Sequence, residues 1–374
     1  MEAPKQATAT PENMTKLAEK AAESVSRITE QTAESMNTMR SWFQNMSDLD
    51  TVEIATAPRE TVWEDGKVKL YHFLREDGSK PKAKTPLLIS YALVNRWEML
   101  DLQPDRSLVR RLIESGIDLY VIDWGYATIV ERYKTMGDYI NGNLDDAVDF
   151  IREKHGLDKI NLLGVCQGGT FSLVYTALHP HKIKNLITMV TPVDFSNDEG
   201  LLFRWSREMN VDEIVDNFNG VVPGDFLNIA FDLLKPMSKV KKYQNFPQVA
   251  QDKGRLENFL RMEKWVADGP AQAGETYRQF IKDFYKANKL YEGKLELDGE
   301  LVDLKKIDMP LLNIYASADH LVPPACTTPL NAKVSSKDKE LYEFPGGHIG
   351  VFVGGRSQKV LAPTVAEWLI KRDK

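Results

Sequence analysis

The pattern of apolar and polar positions changes at about residue 50. Between Leu17 and Met46, apolar or small residues recur at steps of three and four. This spacing places them on one face of an amphipathic helix. The helix either lies on the globular body or docks on a partner or an apolar surface, since Met-rich faces adapt to irregular surfaces.

From residue 51 onward, strand-like and helix-like segments alternate. A hairpin is predicted around Asp65-Gly66, because short β-prone runs flank that turn signal. After it, strands are predicted at 86–94, 118–123, 160–163 and 185–190, with helices at 105–115, 136–154 and 170–178 between them. This order is typical of a mostly parallel sheet with helices on both faces, so we expect an α/β fold.

The alternation stops between about residues 191 and 304. That stretch is rich in aromatic residues, mostly at helical spacing, and shows no strand signal. Strands are predicted again at 310–316 and 340–344, before a closing helix at 359–370. We therefore expect three parts: an N-terminal helical segment (1–50), an α/β core (51–192 and 305–374), and an inserted helical cap (193–304).

The turn Gly164-Val165-Cys166-Gln167-Gly168 lies between a predicted strand and a predicted helix. It matches the nucleophile elbow G-x-S-x-G with cysteine in place of serine. Small flanking residues suit a nucleophile held on a sharp, strained turn. The positive end of the following helix would favour a thiolate or a developing oxyanion. The alternative is a buried cysteine in an ordinary glycine-rich turn.

A nucleophilic cysteine needs a base, and the base needs an acid to orient it. Asp319 directly follows the strand predicted at 310–316, and His348 follows the last predicted strand. Nucleophile, acid and base would then occur in the chain order of α/β hydrolases. Asp194 is a second candidate for the acid, and His320 could support the site beside Asp319.

The oxyanion of an acyl-transfer reaction needs two backbone N–H donors. Gln167, which follows the cysteine, would supply one, and Val94 or Asn95, after the strand at 86–94, would supply the other. Cys326 is not part of an elbow and is expected to be a packing or surface thiol. No metal site is expected, because no pair of Cys or His residues has ligand spacing.

Composition argues against several classes of protein: nucleic-acid-binding, disulfide-rich, secreted and membrane-spanning. The 374 residues carry a formal net charge of −6 without long runs of one sign, which argues against nucleic acid as a partner. Two cysteines do not make a disulfide framework. The N-terminus has no apolar signal region, and no run of about 18 apolar residues suggests a transmembrane segment. We therefore expect a cytoplasmic protein.

Five motifs occur along the chain: G-V-C-Q-G-G-T, Y-A-L-V-N-R-W-E-M-L-D-L-Q-P, V-I-D-W-G, Y-A-S-A-D-H-L-V-P-P and G-G-H-I-G-V-F-V-G. Together they resemble polyhydroxyalkanoate synthases, and the short chain and the Gln after the cysteine resemble the catalytic subunit of the class III, two-component enzymes. The resemblance covers about residues 50–374 and implies that Cys166, Asp319 and His348 form a catalytic triad.

The resemblance also implies a substrate, a product and partners. The substrate would be an (R)-3-hydroxyacyl-CoA, with the CoA thioester as substrate rather than cofactor, and the product a polyester stored in cytoplasmic granules. A second synthase subunit and a homodimeric or hetero-oligomeric state would be expected. Two other interpretations stay open: a cysteine-dependent hydrolase of the thioesterase or dienelactone-hydrolase type, and a non-catalytic granule-associated or scaffolding protein.

Overall fold

The computed structural model describes residues 52–197, 199–234 and 242–373. The chain divides into a larger unit, residues 53–239 and 261–374, and a smaller unit, residues 1–52 and 240–260. The amphipathic helix predicted between Leu17 and Met46 lies outside the described residues. The limits of the predicted core and cap stay predictions.

The strands of the described residues have the following bounds in chain order: β1 Arg59–Asp65, β2 Val68–Phe73, β3 Leu87–Ser90, β4 Asp101–Gln103, β5 Arg106–Ser107, β6 Leu119–Asp123, β7 Ile160–Val165, β8 Ile183–Met189, β9 Val221–Val222, β10 Gln272–Ala273, β11 Glu296–Leu297, β12 Glu300–Leu301, β13 Leu311–Ala316 and β14 Lys339–Phe344.

Eight of these strands form one sheet in the order β1-β2-β6-β3-β7-β8-β13-β14. The strands from β6 to β14 in that order are parallel, whereas β1 and β2 are antiparallel to their neighbours. The prediction of a mostly parallel sheet is confirmed. Because the parallel strands run in one direction, their carboxyl ends meet at one edge, where α/β folds bind ligands.

The sheet is covered on both faces. Every residue of β3 and β7 is buried. Leu162 of β7 packs into one hydrophobic cluster, and its neighbour Leu163 packs into another. Successive side chains of a strand point to opposite faces, so continuous apolar runs are what a sheet between two helical layers requires.

The α-helices of the described residues are Leu108–Ser115, Asp145–His155, Gln167–Leu178, Leu201–Glu208, Val211–Asn217, Gly224–Leu234, Phe246–Ala250, Lys253–Ala267, Gly274–Phe280, Lys289–Glu292, Pro324–Thr327, Leu330–Lys333, Gly350–Val353 and Ala362–Lys371. Segments of 3₁₀ or π geometry are Trp97–Leu100, Asp138–Leu144, Pro180–Lys182, Ile281–Lys286, Leu304–Lys306 and Ser357–Leu361.

One predicted helix starts later than expected, and another starts where predicted but changes geometry along its length. The helix predicted at 105–115 begins at Leu108, because the side chain of Ser107 accepts from the Arg110 N–H at 3.0 Å and caps it. The helix predicted at 136–154 begins at Met136, passes through a π-helical segment, Asp138–Leu144, and continues to His155 as an α-helix.

The stretch predicted to lack strands contains two short antiparallel pairs, β9 with β10 and β11 with β12. Each strand has only two residues, which is too short to produce a periodic pattern in the sequence. The rest of the described residues there are largely helical, as predicted.

In the described part of the smaller unit, aromatic rings join two helical segments. Phe259 lies on the helix that starts at Lys253, and its ring centroid is 5.2 Å from that of Phe246 and 6.3 Å from that of Tyr243. Across the whole described chain, no helix is both long and apolar enough to cross a membrane.

Candidate active site

Cys166 lies on a strained turn between β7 and the helix Gln167–Leu178, which we call the elbow helix. Its φ is +52° and its ψ is −123°, a conformation that residues with a Cβ rarely adopt. Its N–H donates to the Met189 carbonyl at 2.9 Å, which fixes the turn to β8. The strain expected of a nucleophile elbow is therefore present.

Two glycines allow this turn to pack closely. A Cβ at Gly168 would overlap the carbonyl oxygens of Ser90 and Tyr91, and one at Gly164 would overlap the backbone of Gly169. The elbow helix thus contacts the carboxyl end of β3 backbone to backbone. This contact brings the loop after β3, residues 91–96, beside the cysteine; we call it the β3 loop.

The structure pairs His348 with Asp319. The two side chains are buried, and His348 Nδ1 lies 2.6 Å from Asp319 Oδ2. Asp319 Oδ1 accepts from the N–H groups of Leu321 and Val322, each at 2.9 Å, so the carboxylate is held in one orientation. An ionised carboxylate only accepts, so Nδ1 donates and Nε2 is left for another partner.

Cys166 lies close enough to His348 to act on the charge of its ring. Burial lowers the pKa of His348, but the charge of Cys166, the hydrogen bond to Asp319 and a hydrogen bond to Cys166 outweigh it and raise the pKa to about 10. The imidazole is therefore strongly favoured as a proton acceptor when the sulfur carries negative charge. The structure thus brings Cys166, His348 and Asp319 together, and their roles as nucleophile, base and orienting acid stay predictions.

The other sequence candidates lie elsewhere. Asp194 accepts from Asn288 Nδ2 at 2.9 Å and from Ser196, rather than from His348. His320 is exposed, although Asp319 next to it is buried. Cys326 is buried, and burial together with the negative charge of Asp194 raises the pKa of its thiol to about 12. Cys326 is consequently a packing thiol.

Both predicted regions for an oxyanion hole carry free backbone donors. Within the described residues, the N–H groups of Gln167, Val94 and Asn95 donate to no acceptor. Gln167 opens the elbow helix, where N–H groups are unsatisfied by geometry. The contact between Gly168 and the β3 loop brings the two regions together. The roles of Gln167 and Val94 as oxyanion donors and the supporting role of His320 stay predictions.

Comparison with known proteins identifies the family. A profile of the alpha/beta hydrolase fold matches residues 86–355. The poly(3-hydroxyalkanoate) polymerase subunit PhaC of Allochromatium vinosum is 48% identical over 330 residues, covering 88% of this chain and 93% of that protein. The subunit of the same name from Synechocystis sp. is 45% identical over 346 residues, covering 89% and 90%. This chain belongs to the PhaC family of polymerase subunits.

Membership of the PhaC family confirms the resemblance read from the sequence and places the chain among acyltransferase enzymes. Its fold is shared more widely. A solved structure of a putative lipase from Sulfolobus solfataricus superposes with a TM-score of 0.54 at 16% identity, covering 86% of this chain and 98% of that one. At this identity the likeness concerns the fold.

Two tyrosines near the cysteine of this PhaC-family chain were not predicted. Burial, followed by the charge of Cys166, raises the pKa values of both Tyr91 and Tyr285 well above the usual range. Tyr91 belongs to the Y-A-L-V-N motif after β3, so the motif itself was a signal. Tyr285 comes from the aromatic-rich stretch, 119 positions after Cys166 in the chain (285 − 166), and had no local signal.

A half-buried acid that acts electrostatically on Tyr91 was also not predicted. Glu98 is half-buried, and its Oε2 atom has no hydrogen-bond partner among the described residues. Burial raises the pKa of Glu98 to about 7, with a smaller effect of Asp123 in the same direction. No group of three or more His, Cys, Asp or Glu side chains in the described chain is placed to hold a metal ion.

Proposed function

We propose that this protein polymerises (R)-3-hydroxyacyl-CoA, with 3-hydroxybutyryl-CoA as the expected substrate, into polyhydroxyalkanoate and releases CoA. The observation that carries the proposal is Cys166 on its strained elbow, within electrostatic range of a histidine that Asp319 orients. The names of relatives 45% and 48% identical support the same reaction.

Acylation is the first step. His348 takes the proton of the Cys166 thiol, and the thiolate attacks the thioester carbonyl of the substrate. The N–H groups of Gln167 and Val94 stabilise the oxyanion. The intermediate collapses by breaking the carbon–sulfur bond to CoA, which leaves as the thiol with the proton from His348. One thioester has replaced another, so the acyl group stays activated.

Elongation is the second step. The 3-hydroxyl of an incoming unit loses its proton to His348 and attacks the acyl thioester on Cys166. The new carbon–oxygen bond is an ester, and the carbon–sulfur bond to the enzyme breaks. The Cys166 sulfur recovers the proton and is ready for another cycle.

Water must be kept away for polymerisation to exceed hydrolysis. Tyr285, which lies within electrostatic range of Cys166, packs against the rings of Phe195, Phe203 and Phe280 at centroid distances of 5.0, 5.2 and 5.8 Å. Phe195 and Phe203 are fully buried. This aromatic wall gives the thioester an apolar side.

We propose two kinds of partner. The relatives are named as polymerase subunits, which supports a second subunit working with this chain, in a homodimer or hetero-oligomer. An insoluble product supports association with polyester granules in the cytoplasm. Adding a candidate second subunit to the activity assay and following both rate and polymer length tests the first partner.

The proposed reaction is tested with 3-hydroxybutyryl-CoA by following CoA release and the product together. We expect Cys166→Ala to lower CoA release by about 10³-fold or more. Cys326→Ala is the matched control, because it removes the other thiol and should keep near-normal release. Near-normal release by Cys166→Ala would contradict the proposal. Insoluble polyester as product supports the synthase, whereas free 3-hydroxy acid would identify a hydrolase.

A further inference from the structure

The side chain of Gln167 joins the elbow to the β3 loop. Its Oε1 accepts from the Leu93 N–H at 3.0 Å. Both residues are buried, with 5% of Gln167 and 7% of Leu93 exposed. The hydrogen bond spans 74 positions in the chain and is shielded from water, so it is a specific link between two segments.

The β3 loop is held by side chains on each side of its free donors. Trp124 Nε1 donates to the Tyr91 carbonyl at 2.8 Å, and Trp265 Nε1 donates to the Arg96 carbonyl at 2.8 Å. Between these points, Leu93 is fixed by Gln167. Val94 and Asn95 follow directly, and their N–H groups have no acceptor among the described residues.

We infer that Gln167 is a positioning residue for the oxyanion hole: its side chain clamps the β3 loop so that the second donor is set against its own backbone N–H. One residue then supplies the first donor and fixes the second. The inference rests on the proposed function, because it assigns an oxyanion to the reaction. Donors that are already aligned do not have to move when negative charge develops on the carbonyl oxygen, so they stabilise the oxyanion without a cost of reorganisation.

The test uses Gln167→Met, which keeps the length of the side chain and removes the acceptor. Two reactions of Cys166 are compared in the full-length protein. Acylation by p-nitrophenyl butyrate or 3-hydroxybutyryl-CoA passes through an oxyanion. Alkylation by iodoacetamide forms a sulfur–carbon bond, releases iodide and has no oxyanion. Alkylation is followed on the Cys166 peptide by mass spectrometry.

We expect Gln167→Met to lower kcat for acylation by about 10- to 100-fold, with KM and the alkylation rate changed by less than about twofold. An unchanged kcat would overturn the clamp. So would an alkylation rate that falls as far as kcat, because this would show a displaced elbow rather than a displaced donor.

Gln358→Met is the matched control. Gln358 is 7% exposed, and its Oε1 accepts from the Ser107 N–H, also at 3.0 Å. This variant loses that buried hydrogen bond and also the one that Gln358 Nε2 donates to the Phe352 carbonyl at 2.6 Å. Neither bond joins Gln358 to the β3 loop, so the variant should keep kcat within about twofold. A kcat loss equal to that of Gln167→Met would contradict the inference. Failure of the wild type to release CoA would refute the proposed function alone, since p-nitrophenyl butyrate still tests the clamp.

Discussion

Two histidine–aspartate pairs lie at opposite ends of the same sheet. His348 and Asp319 follow the carboxyl ends of β14 and β13, with 2.6 Å between Nδ1 and Oδ2. His72 and Asp118 lie at the other end, where Asp118 precedes β6, with 2.8 Å between Nε2 and Oδ1. The two hydrogen bonds have the same chemistry and nearly the same length.

The pairs differ in burial and in their neighbours. The side chains of His348 and Asp319 are 9% and 0% exposed, whereas those of His72 and Asp118 are 18% and 16% exposed. His348 interacts with Cys166. His72 instead stacks on Tyr120, with ring centroids 4.4 Å apart.

The other nitrogen of His72, Nδ1, lies 3.3 Å from Glu60, so both ring nitrogens have carboxylate neighbours. His348 leaves one nitrogen for a nucleophile. A histidine–aspartate pair therefore defines a candidate active site only when a nucleophile on a constrained turn completes it.

The comparison is tested most strongly by removing each histidine. We expect His348→Gln to lower kcat for CoA release by about 10³-fold or more, because the thiol loses its base. His72→Gln removes the corresponding group at the other end of the sheet and should leave kcat within about twofold. Steady-state kinetics of both variants at one pH provides the measurement.

Thermal unfolding of both variants checks that the fold persists. If His72→Gln lowered kcat as far as His348→Gln without unfolding the protein, the two histidines would not differ in their importance for the reaction.

The sequence was informative about His348 and Asp319 for a simple reason. Each follows a predicted strand, and parallel strands bring their carboxyl ends to one edge, so chain position alone indicates proximity. The His72–Asp118 pair depends on the antiparallel register of β2 against β6, in which His72 is opposite Tyr120. A shift of one residue would move His72 to the other face, and the sequence pattern does not specify that register.

Contacts made by single side chains could not be predicted from the sequence either. Gln167 was predicted as a backbone donor, but the bond of its side chain to Leu93 depends on how closely Gly168 approaches β3. Tyr285 comes near Cys166 only through the packing of helices from the aromatic-rich stretch. Such contacts depend on the conformation of individual side chains in the packed protein. The spacing of apolar residues in the sequence does not indicate that conformation.

The next largest contrast is expected for the two aspartates. Asp319→Asn should lower kcat by about 10²- to 10⁴-fold, because the amide can present its N–H₂ to Nδ1 and favour the wrong tautomer of His348. Asp118→Asn should keep kcat and instead lower the free energy of unfolding by about 1–2 kcal/mol at pH 7, through the weakened bond to His72.

The two readouts for the aspartates are kcat and urea unfolding at constant pH. Burial raises the pKa of Asp118, but the hydrogen bond from His72 and the charges of His72 and His155 lower it overall. The stability that Asp118 contributes is therefore present above its unfolded pKa of about 3.9 and is lost as the pH falls below it. If Asp118→Asn lost activity but kept its stability, Asp118 would act in the reaction rather than in the stability of the fold.

The smallest effect is expected for His155, which completes the cluster around Asp118. The Tyr120 hydroxyl lies 2.9 Å from His155 Nε2 and donates to it when the imidazole is neutral. Burial lowers the pKa of His155 from 6.5, and the charges of His72 and Lys154 act in the same direction, against the opposing charge of Asp118. The folded state thus prefers the neutral ring, in contrast to His348, whose pKa is raised to about 10.

The sign of the pH effect follows from this preference. The stabilising contribution of neutral His155 is fully present above pH 6.5 and decreases as the pH falls through the lowered pKa of the folded state. When the pH falls from 8 to 5, the free energy of unfolding should therefore decrease less in His155→Gln than in the wild type. The difference between the two decreases should be less than about 1 kcal/mol. Urea unfolding of both proteins at the two pH values measures the difference. Equal losses of unfolding free energy in the two proteins would mean that His155 has the same pKa in the folded and unfolded chains. The residues around Asp118 would then have no effect on the protonation of His155.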